Sequence, residues 1–203
     1  MPRVPVKPRR KPKTSVGKSI ADALVTAAEQ ILSTNGVETF STNKIAQRAG
    51  VSVGSLYQYF PNKESLLAEV ARRLEQRTAQ TLIDTLKRCR DQRLRAVAGE
   101  VVDVLLGNDI GELRMRHALR REVPAGWTSE TSAEVDQRVR QELMTELARR
   151  TDVREGPTPM MTWMVAHTVE MIVEHAVNTQ PELMTVPVFR DELVELVVRY
   201  LQA

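Results

Sequence analysis

The sequence predicts an all-α fold of about nine helices. Three observations carry the prediction. Apolar residues recur three and four apart along most of the 203 residues; no period-2 stretch is present; and Gly, Pro and Asn-Gly breaks divide the pattern into helix-length pieces. No internal repeat is found. A chain of this length can bury a sizeable core in one domain or two modest ones.

Residues 1 to 13 combine Pro2, Pro5, Pro8 and Pro12 with Arg3, Lys7, Arg9, Arg10, Lys11 and Lys13. Prolines at that density forbid a helix and nothing there can build a core, so a disordered basic arm is expected up to about residue 15. The same start has no apolar stretch after its charges and does not resemble a secretory signal. A first helix is expected from about Lys18 to Thr34, on the spacing of Ile20, Leu24, Ala27, Ala28 and Ile31, with Asn35-Gly36 as its stop.

Two short helices follow, about Thr42 to Ala49 and Val53 to Phe60, with only Gly50, Val51 and Ser52 between them. That is the helix-turn-helix arrangement. Ile45, Ala46 and Ala49 give the first of the pair an apolar face, and the small Ala46 lets the helices approach. Gly50 permits a positive φ, Val51 and Leu56 fill the space between the helices, and Ser52 can cap the second. A helix presented in this way fits the major groove of B-form DNA. The chain has only three Tyr, three Phe and two Trp, yet Tyr57, Tyr59 and Phe60 cluster here. Phe60 is expected to close the small core, and the two tyrosines to turn hydroxyls outward while their rings pack.

From Lys63 a longer amphipathic pattern runs through Leu66, Leu67, Val70, Leu74, Leu82, Ile83 and Leu86. Further helices are expected at about 93 to 106, 110 to 122, 131 to 150, 159 to 178 and 188 to 202. Breaks at Gly107-Asn108, Pro124-Ala125-Gly126, Gly156-Pro157 and Pro181 to Pro187 separate them, and Thr131 with Glu134 reads as a capping box. Two segments suit a dimer interface. Residues 160 to 177 are apolar nearly all round, and Leu193, Leu196, Val197 and Leu201 form one broad face.

Charge is uneven. Residues 1 to 65 hold 10 Lys/Arg against 4 Asp/Glu, and the remainder 19 against 22, as expected if the first third meets a polyanion. No stretch has the roughly 18 to 20 apolar residues of a membrane-spanning helix. The single cysteine, Cys89, cannot pair within the chain, which fits a reducing cytoplasm.

The stretch FSTNKIAQRAGVSVGSLYQYFPNKESLL resembles the DNA-binding region of the TetR (tetracycline-repressor-type) transcriptional regulators. The resemblance covers about residues 18 to 75, with Ile45-Ala46, Ala49-Gly50-Val51-Ser52, Leu56-Tyr57, Phe60 and Asn62-Lys63-Glu64 at the family's spacing. It implies a helix-turn-helix domain at 16 to 65 and a helical ligand-sensing and dimerisation domain at 66 to 203. It implies phosphate contacts from Thr42, Tyr59 and Lys63, and base-facing positions at Asn43, Val53, Ser55 and Tyr57 beside Ser52. Arg9 and Arg10 of the arm would reach the minor groove. Two departures bear on the operator: the Tyr59 position is often His in the family, and the Asn43 position is often a longer basic residue.

The implied function is a repressor that binds a palindromic operator in double-stranded DNA as a homodimer. A small-molecule effector would move the long fourth helix, change the separation of the reading heads and so release the DNA. No cofactor is expected. Met115, His117, Trp127, Met161, Trp163, Met164, His167 and Met171 are candidates to line the ligand site, although such residues, taken singly, more often belong to a core. Against an enzyme, the acidic and histidine residues His167, Glu170, Glu174 and His175 form no known zinc motif, and no phosphate-cradling loop or nucleophile elbow occurs. An interaction adaptor with a vestigial helix-turn-helix fits the basic first third poorly.

Overall fold

The computed structural model describes residues 14–37, 40–107, 110–123, 125–156 and 158–202. Among these there are nine α-helices, one short 3₁₀ helix and no strand. Contacts gather the chain into two units. One joins Met1–Leu74 with Arg114–Ser129, and the other joins Glu75–Leu113 with Glu130–Ala203.

In the first unit, α1 (Ser15–Asn35) opens on Thr14, whose Oγ1 accepts from Gly17 N at 3.1 Å, and ends at Gly36 with φ +73°. Its inner face buries Leu24, Val25, Ala27, Ala28, Ile31 and Leu32. That face meets α2 (Thr42–Arg48), α3 (Val53–Tyr59) and the first turns of α4 (Lys63–Arg88) around the fully buried Ile45, Leu56 and Leu66. Each such side chain contributes about 1.5–3 kcal/mol when taken from water. Met115, Leu119 and Val123 of α6 (Ile110–Glu122) enter the same core. Polar ties fix the outside of the unit. Arg73 donates to Asp22 at 2.7 Å and Thr26 at 3.1 Å, and Arg48 Nε donates to Gln30 at 2.7 Å.

The second unit contains α5 (Leu94–Leu106), most of α7 (Ala125–Ala148), α8 (Thr158–Thr179), the 3₁₀ helix Pro181–Thr185 and α9 (Pro187–Leu201). Leu94, Ala98 and Val102 of α5 pack with Val169, Val173 and Val177 of α8 and Leu193, Val197 and Leu201 of α9. Arg190 of α9 grips Asp103 of α5 through Nε at 2.6 Å and Nη2 at 2.8 Å. Gly99 leaves room for that approach, since a Cβ there would stand a tight 3.0 Å from Arg190 Nη2. Arg154 holds the other end of α9: its N–H donates to Leu201 O at 2.8 Å and its Nε to Tyr200 O at 2.7 Å.

A buried ion network closes the unit. Arg150, with its side chain only 7% exposed, donates to both oxygens of Asp152 (2.8 and 3.0 Å), to Glu146 (3.1 Å) and to Gln92 O (2.7 Å). Asp152 in turn accepts from Leu94 N at 2.9 Å, at the start of α5. The Arg150 guanidinium holds the Asp152 carboxyl below its ordinary range, with the Leu94 N–H assisting, although burial pulls the other way.

Two sequence expectations change. The helix placed at 131 to 150 begins at Ala125, so Thr131 lies inside α7 and its residue position cannot be an N-cap. One Gly126 in a first turn weakens a helix too little to delay it, and a proline such as Pro124 favours a helix start just beyond it. The Pro181 to Pro187 break is partly ordered: it holds the 3₁₀ helix, and Pro187 is the first residue of α9.

Candidate nucleic-acid interface

The α2–α3 turn follows from a few residues. Gly50, at φ +68°, lets Val51 N donate to Ala46 O at 3.0 Å and Gly50 N to Gln47 O at 3.2 Å. These two bonds terminate α2 in a Schellman motif. Ser52 then starts α3, its Oγ accepting from Ser55 N at 3.0 Å. Leu56 and Phe60 point inward, 0% and 2% exposed, so the opposite side of α3 faces solvent.

The predicted contact residues fall into three groups. Thr42 and Tyr57 come together, with their hydroxyl oxygens 3.3 Å apart, joining the start of α2 to the outer side of α3. Asn43 is exposed beside them on α2. Ser52 and Ser55 are engaged with each other, Oγ to Oγ 2.9 Å, so the hydroxyl that caps α3 is already committed. Val53 and Tyr59 pack against the core and offer only their outer edges. Lys63 occupies the first position of α4 with its Nζ 5.5 Å from the Phe40 ring centre, a cation–π contact that holds the ammonium near the turn. A reciprocal cap fixes that helix start. Asn62 Oδ1 accepts from Ser65 N at 2.7 Å, and the buried Ser65 hydroxyl donates to Asn62 O at 2.8 Å. Arg9 and Arg10 lie outside the described residues.

Sequence reasoning missed Lys44 and Gln47 on α2 and Gln58 on α3, all exposed on or beside this surface. A helical wheel drawn from the buried Leu56 would have found Gln58. It also missed a charge contribution. The unit carrying this surface holds 16 Lys/Arg against 6 Asp/Glu, while the other holds 13 against 20. Four of those 16 are Arg114, Arg116, Arg120 and Arg121 of α6, far from the first helices in sequence.

The family models decide the identity. The model described as "Bacterial regulatory proteins, tetR family" matches residues 24–70, and "Tetracyclin repressor-like, C-terminal domain" matches residues 93–201. The chain belongs to the TetR family. It is a DNA-binding transcriptional regulator of that family, whose members are not enzymes. Among curated relatives, the nucleoid occlusion factor SlmA of Haemophilus ducreyi is 31% identical over 94 residues, 46% of each chain. The fatty acid metabolism regulator protein of Bacillus subtilis is 41% identical over 44 residues, 22% of this chain and 23% of that one. These matches thus span less than half the length of either relative. The fold is shared with the multidrug binding protein EbrR in complex with ethidium, at a TM-score of 0.68 and 17% identity, covering 91% of this chain and 99% of that one.

The residues expected to line a ligand are distributed over both units. Met115 is buried in the core of the first unit, and the side chains of His117 and Trp127 lie outside the described ones. Trp163, Met164, His167 and Met171 lie on the exposed side of α8, away from the buried Met161, Val169 and Val173. The helix is apolar on two faces, and its sequence does not say which one the chain itself covers. Trp163 and His167 stack with ring centres 4.4 Å apart, and His167 Nδ1 lies 2.9 Å from Trp163 O. Among the described residues no group of three or more His, Cys, Asp or Glu could hold a metal ion, and no helix is long and apolar enough to cross a membrane.

Proposed function

We propose that this TetR-family protein is a repressor that occupies a two-fold symmetric DNA site as a homodimer and leaves it when a small molecule binds the second unit. The observation that carries the reading is the outer surface of α2 and α3. There the Thr42–Tyr57 hydroxyl pair, Asn43, Gln58 and Lys63 surround an exposed helix face on the strongly basic unit. Hydroxyls and the Lys63 ammonium suit phosphate oxygens, and amides suit base edges.

Two copies are needed to read a symmetric site, and α8 with α9 offers the surface for pairing. Met160, Trp163, Met164 and Met171 on α8 and Val188 and Leu196 on α9 are large apolar side chains 39–63% exposed. Between the two helices runs an open groove of about 480 Å³, lined by Ile172 of α8 and by residues of α9 that include Phe189, Leu193, Leu196 and Arg199. In this reading the α8 stripe faces the partner protomer and not the effector. The effector would instead be enclosed by the inner faces of the second unit's helices.

The test is to capture fragments of sheared genomic DNA from the source organism on immobilised protein and sequence them. Enrichment of a short palindrome supports the reading, and enrichment beside the protein's own gene supports repression. Absence of any enriched site at moderate salt counts against it. Sedimentation at micromolar concentration tests the pairing: a dimer is expected, and a Trp163→Asp variant should be monomeric.

A further inference from the structure

Gly50 and Gly99 have clear reasons within the fold, one in its backbone angle and the other in the guanidinium pressed against it. Gly54 has neither. Its φ is not positive, and a Cβ built on it would meet only Ser52 Oγ, at 3.7 Å, an ordinary contact. The chain has room there for a side chain. Glycine also weakens a helix relative to alanine, so α3 would hold its shape better with one.

The place of Gly54 on the helix gives its absence of side chain a use. Residues three and four apart share a helix face. Gly54, Tyr57 and Gln58 are the exposed residues of α3 after Ser52, while Leu56 and Phe60 lie on the buried side. Gly54 is therefore a gap in the first turn of the outer face, one turn before the exposed Tyr57 and Gln58. The Tyr57 hydroxyl is held against Thr42, which ties that side chain to the start of α2. Among the described residues none fills the gap.

We propose that Gly54 is a specificity-determining position at which the bare backbone of α3 comes into van der Waals contact with base-pair edges in the major groove. The inference rests on the reading that α3 enters that groove. A methyl group at this point would lift the helix away from the bases. Contacts to phosphates, expected from Thr42, Tyr59 and Lys63 around the edge, would tolerate the change; contacts to bases would not.

The experiment uses the full-length protein and its Gly54→Ala variant. A duplex site is first selected by the wild type from a random-sequence DNA library. Affinities for that duplex and for a scrambled duplex of equal composition are then measured at one salt concentration, together with thermal unfolding. The expected result is a variant that melts at the same or a higher temperature and binds the scrambled duplex within twofold of wild type. Its affinity for the selected duplex should fall about tenfold or more. Wild-type affinity for the selected duplex would overturn the proposal. So would an equal loss on both duplexes, or a clearly lower melting temperature, because either would give the glycine a general role. Selection of no motif by the wild type would instead remove the operator reading itself, and this role with it.

Discussion

The two units are held and charged in opposite ways. The first is an apolar core with helix caps and a few ion pairs such as Arg73–Asp22 at its edges, and it carries 16 Lys/Arg against 6 Asp/Glu. The second adds to its apolar core a web of ion pairs, including the buried Arg150, and is net acidic. The contrast teaches where positive charge is left for a partner. In the second unit, arginines such as Arg150, Arg154 and Arg190 are used up on carboxylates and carbonyls of their own unit. In the first, Lys44 on α2 and Arg114 on α6 stand exposed, and Arg48 donates to the neutral Gln30 rather than to a carboxylate.

The largest effect should come from breaking the second unit's network. Replacing Arg150 by alanine leaves Glu146, 4% exposed, without its nearest guanidinium, and should cost about 3 kcal/mol in urea unfolding. DNA affinity per folded molecule should hold. A loss under about 1 kcal/mol would mean that the pair contributes no more than a surface bridge.

Deleting residues 1 to 13 removes six Lys/Arg from the basic side of the comparison. Operator affinity at moderate salt should drop roughly tenfold, and the slope of log affinity against log salt should flatten. An unchanged slope would refute a role for the arm, including Arg9 and Arg10. Replacing Ser52 by alanine removes the α3 cap and should cost about 1 kcal/mol in a thermal melt, with no change in which DNA sequence is preferred. A changed preference would mean that the hydroxyl reads a base after all.

The smallest effect concerns pH. The Asp152 carboxyl titrates lower in the folded chain than in the unfolded one, where about 3.9 is expected. Its stabilisation is therefore present above that value and is lost as pH falls through the lower folded one. Asp152→Asn should be less stable than wild type at neutral pH, and the gap in urea midpoint should narrow on acidification. A constant gap would show that the carboxylate's charge is not what matters.

Local features were legible in the sequence because one or two residues fix them. The Gly50 turn, the Ser52 cap, the Gly36 stop and the buried Phe60 each stand where a short-range rule places them. Features that depend on distant segments were not legible. Nothing near Arg114–Ser129 says that it packs with the first helices, since the partners of Met115 and Leu119 are more than 40 residues away. The sequence also could not assign the exposed Trp163, Met164 and Met171 to a ligand or to a partner protomer, because an apolar face records that water is to be excluded, not by what. The start of α7 was placed late because Pro124 and Gly126 were weighed as breakers when they stand at the one end of a helix that tolerates them.

The gap at Gly99 has a mechanical consequence. A guanidinium seated where no Cβ stands, and clamped at two points to Asp103, fixes how far along α5 the helix α9 sits. Sliding α9 by one turn, about 5.4 Å, would carry Arg190 away from Gly99 and Asp103 and break both bonds at once. The register of α9 on α5 is thus marked by a single side chain held at two points.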